Sequence, residues 1–142
     1  DPPTNGAFRL GQLVPFADAQ WVVLDASRSS SAPGKGPTPI AFGRQARFVT
    51  VKFRVTNTSS QSAVAASLPC LLDAAGCRFE PLDATLFDLA ESSEPLTIKP
   101  IPSGGTRTCC AVYAVPHTST GFVLEIRALG LEPENASARV LL

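Results

Sequence analysis

Four cysteines, Cys70, Cys77, Cys109 and Cys110, are the residues in this chain whose type could do the most chemistry. Together they could hold zinc as a tetrathiolate, or pass on a soft copper ion. Their spacing speaks against it. Six residues lie between the first two and none between the last two, and neither gap is that of a zinc knuckle. Adjacent residues of a strand also point to opposite faces, which hinders Cys109 and Cys110 from closing on one ion. Copper transfer would further call for Met and His, and the chain has no Met. Disulfides in an exported protein are the leading account, with a zinc- or copper-carrying protein as the alternative.

The single His, His117, follows Pro116 in the run HTSTG. Beside Ser and Thr it could serve as general base to a hydroxyl, but a solvent-facing turn residue is the plainer reading. No Gly-x-Ser-x-Gly elbow, HExxH or paired-carboxylate motif is present. Gly34-Lys35-Gly36 suggests a phosphate loop, yet the earlier Gly at fixed spacing is missing and no Ser or Thr follows the Lys. Asp83, Asp88, Glu91 and Glu94 form an acidic stretch whose spacing matches no calcium loop; a solvated helix face explains it better. Asn57-Thr58-Ser59 and Asn135-Ala136-Ser137 are glycosylation sequons, incidental in a bacterial protein and open to occupancy in a eukaryotic host. The expectation is a protein with no catalytic residues and no cofactor.

Any such residue has to be positioned by a single domain, 1–142, of which residues 1–7 form a loose leader. At 142 residues the chain can bury a core without staples. Its 12 basic and 12 acidic residues cancel. A nucleic-acid binder needs a basic face to displace counterions from phosphates, and this composition offers none. No apolar run approaches the length of a membrane span, and no basic amphipathic helix is visible. The start DPPTNG, without Met, reads as a mature N-terminus from which a signal peptide has been removed. That predicts a secreted, periplasmic or cell-surface protein.

Residues 48–57, FVTVKFRVTN, carry the clearest structural pattern. Val49, Val51, Phe53 and Val55 share one parity, and Thr50, Lys52, Arg54 and Thr56 share the other, as in a strand with one dry and one wet face. Further strands are expected at 8–14, broken by Pro15, and at 21–26, where the inward parity is undecided. Others fall at 67–73 with its return 77–80, at 96–99, at 106–115 up to Pro116, at 122–128 and at 138–142. Gly76 can take positive φ, so a three-residue loop over Ala74, Ala75 and Gly76 closes the hairpin. Leu86, Leu89 and Ala90 follow Asp83 at helical spacing and predict one or two helical turns over 83–91. About eight short strands and one short helical segment make a two-sheet antiparallel β-sandwich. Its expected core is Val49, Val51, Phe53, Val55, Leu71, Phe79, Tyr113, Val115, Phe122, Leu124 and Ile126.

Three stretches stand out together: the strand ending in Asn, FVTVKFRVTNTS at 48–59; the hairpin LLDAAGCRF at 71–79; and PIPSGGTRTCCAVYAVP at 100–116, a turn leading to an apolar strand that stops at Pro. In this order they resemble a family of small exported bacterial domains, the domain of unknown function numbered four-three-five-two. With VLEI at 123–126 and the closing RVLL, the likeness covers residues 45–142. The family usually carries an aromatic where Pro69 or Cys70 stands, is not defined by cysteines, and more commonly has Phe where Tyr113 stands. The resemblance implies an immunoglobulin-like sandwich, related in fold to a mycobacterial immunoprotective secreted antigen. It also implies export, often as a lipoprotein, and no known catalytic residues. No lipobox Cys stands at this N-terminus, so the lipoprotein part of the resemblance finds no support in the chain as given.

With the three-residue loop, Asp73 faces Cys77 and Cys70 faces Glu80, so Cys70 and Cys77 lie on opposite faces. A two-residue turn at Ala74-Ala75 would instead bring them onto one face. Cys109 shares the inward parity of Tyr113 and Val115, and Cys110 points outward. In sandwiches of the resembled type the strand at 106–115 commonly neighbours the one carrying Cys70, which pairs Cys77 with Cys109 and Cys70 with Cys110. The function expected is a non-catalytic binding or structural module of the bacterial cell envelope. Its partner is expected to be a protein, held through sheet edges or through the long connections at 29–39 and 83–95.

Overall fold

The structure, a computed structural model, describes residues 7–16, 18–29, 46–63, 69–81, 100–127 and 137–142. Nine strands run in order: β1 (Ala7–Arg9), β2 (Leu13–Pro15), β3 (Ala19–Ser29), β4 (Ala46–Asn57), β5 (Cys70–Leu72), β6 (Arg78–Phe79), β7 (Thr106–Pro116), β8 (Val123–Arg127) and β9 (Ser137–Leu141). They form a five-stranded sheet, β1-β9-β8-β5-β6, and a four-stranded sheet, β2-β3-β4-β7. No helix occurs among the described residues. The helical turns expected at 83–91, the strand expected at 96–99, and most of both long connections lie outside them.

Alternation dictates which residues meet between the sheets. In the five-stranded sheet, Phe79, Leu71, Leu124, Val140 and Phe8 stand side by side across all five strands. Leu71, Leu124 and Val140 are wholly buried. Opposite them the four-stranded sheet aligns Val14, Trp21 and Val55 in one row and Val23, Phe53 and Cys109 in the next. The Trp21 and Phe53 rings lie 5.5 Å apart at 32°. Every residue of the expected core is buried except Phe79, which is half-buried and packs against the others. The undecided parity of β3 is settled by Trp21 and Val23, both inward. A register shift between Val23 and Asp25 then carries the inward row on through Ala26, which packs against the core, to Arg28.

Two expectations about strand arrangement are corrected. The stretch 8–14 is two strands in different sheets, because a turn at Leu10 and Gly11 redirects the chain across the sandwich. Gly11 takes φ 80°, its N–H donates to the Val23 carbonyl at 2.8 Å, and the Gln12 N–H donates to the Arg9 carbonyl at 3.1 Å. The pairing is also not antiparallel throughout: β1 and β9 run parallel, with Phe8 opposite Val140. By contrast the expected hairpin register holds. Leu71 faces Phe79, and Gly76, at φ 85°, closes the loop with its N–H on the Asp73 carbonyl.

Candidate functional site

Toward one end of the sandwich the inward rows of the four-stranded sheet cease to be apolar, each one inward position further along than the row of the strand before it. On β3 the row Trp21, Val23, Ala26 ends in Arg28; on β4 the row Val55, Phe53, Val51, Val49 ends in Arg47. On β7 the parity of Tyr113 and Val115 continues to His117, just past the strand. Register makes these neighbours, since Arg28 faces Val49 and Arg47 faces Val115. Arg28, Arg47 and His117 rim a cleft of about 290 Å³, with Val49, Val115, Pro116 and Phe122 among its walls. The Arg28 guanidinium lies 4.6 Å from the centre of the Phe122 ring, a cation–π contact that fixes the cation at the mouth. Among the described lining residues none is acidic.

The remaining wall, the turn 117–121, is held by the β5–β6 hairpin. The Ala74 N–H donates to the Thr120 carbonyl at 2.9 Å, and the Ser119 hydroxyl donates to Asp73 Oδ2 at 3.0 Å. Asp73 Oδ1 accepts from the N–H groups of Ala75 and Cys77 at 3.0 and 2.9 Å. These donors, the Cys77 amide first, hold the Asp73 carboxyl below its ordinary range. Gly121 takes φ 67°, and a Cβ there would stand 2.9 Å from the Ala74 Cβ. Hairpin and turn therefore fit only because that position lacks a side chain. Ser119 is committed to Asp73, and no hydrogen bond joins it to the exposed His117 among the described residues. The structure does not assemble these two into a base and nucleophile.

The cysteines are dispersed, and the expected pairings are corrected. β7 neighbours β4 in the four-stranded sheet, while β5 lies between β8 and β6 in the other, so the strands of Cys110 and Cys70 are not adjacent. Cys109 points into the core opposite Phe53, and Cys110 points out of its sheet opposite Lys52. Cys70 stands on the outer face of the five-stranded sheet, opposite Glu125. Cys70 and Cys110 thus face away from each other through sheets that pack about 10 Å apart, beyond the reach of a disulfide. Cys77 is exposed at the hairpin while Cys109 is buried, and no disulfide joins any of the four. No group of three or more Cys, His, Asp or Glu side chains among the described residues is placed to hold a metal ion.

Glu125 is buried on that same outer face and paired with Arg78 at 2.6 Å and Arg139 at 3.7 Å, an arrangement that satisfies a desolvated carboxylate. Asn57, wholly buried, organises the opposite end of the sandwich. Its Nδ2 donates to the carbonyls of Gln61 and Ile101, both at 2.8 Å, and its Oδ1 accepts from the N–H and hydroxyl of Ser59. Both Nδ2 hydrogens are used, so the first sequon is closed to glycosylation in the folded protein; Asn135 lies outside the described residues. Arg28 and Arg47 escape the sequence reading, although stepping the Val49 parity back by two residues reaches Arg47.

No protein-family model matches the chain, and no curated protein matches it either. Solved structures do. An uncharacterized β-sandwich protein of Clostridium difficile 630 is 9% identical, with a TM-score of 0.63 over 100% of this chain and 97% of that one. The yjhA protein of Bacillus subtilis is 15% identical, with a TM-score of 0.70 over 95% of this chain and 99% of that one. A conserved hypothetical protein of Bacillus anthracis is 16% identical, with a TM-score of 0.63 over 82% of this chain and 87% of that one. Likeness at these identities shows the fold: a β-sandwich shared with bacterial proteins whose descriptions name no activity.

Proposed function

We propose that the protein is an exported, non-catalytic binding module of the bacterial cell envelope. In this reading it is an immunoglobulin-like sandwich akin to the exported family numbered four-three-five-two and to the mycobacterial secreted antigen, and it engages another protein at one end. The observation that carries the reading is the cleft rimmed by Arg28, Arg47 and His117 over Val49, Val115 and Phe122. Concave sites with an apolar floor and a few polar groups at the rim are where ligands are held. Engagement of Ser119 by Asp73 favours binding over turnover, and the separation of the cysteines leaves the metal-carrying alternative without an observation in its favour.

The test is a cross-linking pull-down from the native envelope with wild type and with Arg28→Glu/Arg47→Glu. Wild type is expected to capture a partner that the double variant loses. Equal capture by both would remove this end of the sandwich from the binding surface. Hydrolysis of ester, glycoside or phosphate substrates that disappears in His117→Ala would replace the reading with an enzyme.

A further inference from the structure

We infer that two copies of this chain exchange their first strands, each β1 pairing with β9 of the other copy. Among the described residues three large hydrophobic side chains stand in solvent: Leu10 is 41%, Leu13 46% and Leu141 44% exposed. All three belong to one junction. Leu10 lies in the turn between β1 and β2, Leu13 opens β2, and Leu141 faces Arg9, the last residue of β1. The apolar surface that a single chain leaves uncovered thus surrounds the turn about which β1 would swing.

The strand itself is transferable. β1 is three residues long, lies at the edge of its sheet and pairs with β9. Phe8 is buried in the core opposite Val140, while Arg9 is exposed. A second copy's β1 would give β9 the same ladder and the same Phe8, so exchange loses no core contact. What changes is the turn. The Gln12 N–H on the Arg9 carbonyl at 3.1 Å closes a β-turn centred on Leu10 and Gly11, and the φ of 80° at Gly11 is what a type II turn requires there. The Arg9 N–H donates to Gln12 Oε1 at 3.1 Å, an exposed bond that water replaces at little cost. The Gly11 N–H, on the Val23 carbonyl at 2.8 Å, keeps the chain beyond the hinge on its own sheet. Having no Cβ, Gly11 passes from the left-handed to an extended conformation without strain.

The leucines alone would not hold two copies together. Three partly exposed leucines offer at most a few hundred Å², against roughly 800 Å² per partner in a stable rigid interface. Exchange adds the β1–β9 ladder and the burial of Phe8 to the surface the copies share. Two straightened hinges related by a two-fold axis run antiparallel past each other, so Leu10 and Leu13 of each copy meet those of the other.

The test is sedimentation equilibrium of the full chain, joined to a filtered NOE measurement on an equal mixture of isotope-labelled and unlabelled chains refolded together. Wild type is expected to dimerise at about 1 mM or below, with an intermolecular NOE between the Phe8 ring and the Val140 methyls. A Cβ at Gly11 meets no atom within 4 Å, so Gly11→Ala penalises only the closed turn. With two turns opened per dimer, it should tighten dimerisation about a hundredfold. Insertion of two glycines after Gly11 relaxes the closed turn and should loosen the dimer instead. Leu10→Ser/Leu13→Ser should weaken it about tenfold or more, with unfolding midpoints recorded to show that every variant folds. A chain that stays monomeric at about 1 mM, or a dimer whose Phe8–Val140 NOE is only intramolecular, would overturn the inference. So would a dimer that Gly11→Ala leaves unchanged or loosens. Loss of the envelope partner by Leu10→Ser/Leu13→Ser in a monomeric chain would assign the leucines to that partner and overturn the exchange.

Discussion

The Tyr113 hydroxyl donates to the Pro69 carbonyl at 2.7 Å, fastening the edge strand of the four-stranded sheet to the residue before β5 in the other. Burial pushes the phenol well above its ordinary range, so it stays protonated as the donor. The hydroxyl therefore has a structural task. Tyr113→Phe leaves a buried carbonyl without its donor and is expected to cost about 1–3 kcal/mol in urea titration, at unchanged slope. A loss below roughly 0.5 kcal/mol would show that the carbonyl finds another donor.

Gly76 and Gly121 separate backbone strain from crowding. Both have positive φ, but a Cβ at Gly76 meets open space, while one at Gly121 meets Ala74 at 2.9 Å. Gly76→Ala is expected to cost about 1–2 kcal/mol from the left-handed conformation alone. Gly121→Ala should cost more, because it also pushes the 117–121 turn off the hairpin. Equal losses in denaturant titration would mean that Ala74 gives way.

Asp73 supplies a pH dependence whose sign is fixed by geometry. Its folded pKa lies below the ordinary 3.8, held there mainly by the Cys77 amide. A carboxyl lowered on folding stabilises the native state above the ordinary value, and that contribution disappears as pH falls through the lowered one. Slower amide exchange at Ala75 and Cys77 in wild type than in Asp73→Asn is therefore expected at neutral pH. The difference should shrink as pH drops below 3.8. A difference that persists undiminished at low pH would assign it to hydrogen-bond shape rather than to charge.

Thiol labelling reads the placement of the cysteines. Exposed Cys77 is expected to react first with iodoacetamide in the native protein, and Cys109, in the core, last. Cys70 should also lag, since burial pushes its thiol upward and lowers the thiolate fraction. Mass mapping of labelled peptides gives the order. A Cys70–Cys110 peptide recovered under non-reducing conditions would contradict their positions on opposite outer faces.

Local rules carried the sequence a long way. Period-two alternation marked Val49 to Val55 as inward, and Gly76 marked the hairpin, because both depend on residues a few positions apart. The strand order was not legible. Nothing local to β5 and β7 says that they belong to different sheets, since that choice is made by what each apolar face finds across the core. The break between β1 and β2 was also missed, because Gly11 reads as an ordinary glycine until its N–H is seen to bond Val23 on β3. Arg47 could have been found. Its parity was visible, but an inward arginine looks like a strand end until β3 and β7 bring Arg28 and His117 to the same rim.

The parallel pairing of β1 with β9 has a kinetic meaning. Phe8 meets Val140, so the five-stranded sheet is completed by partners from opposite ends of the described sequence. Ordering entropy for all the chain between them is lost before that contact can return anything, which places this topology among slow folders of high contact order. The sheet β2-β3-β4-β7 depends on no residue beyond Pro116 for its ladder and can assemble first during synthesis. Closure by β9 is then a late event. Weakening it with Val140→Ala should speed unfolding far more than it slows folding, the reverse of what Phe53→Ala in the early sheet should do.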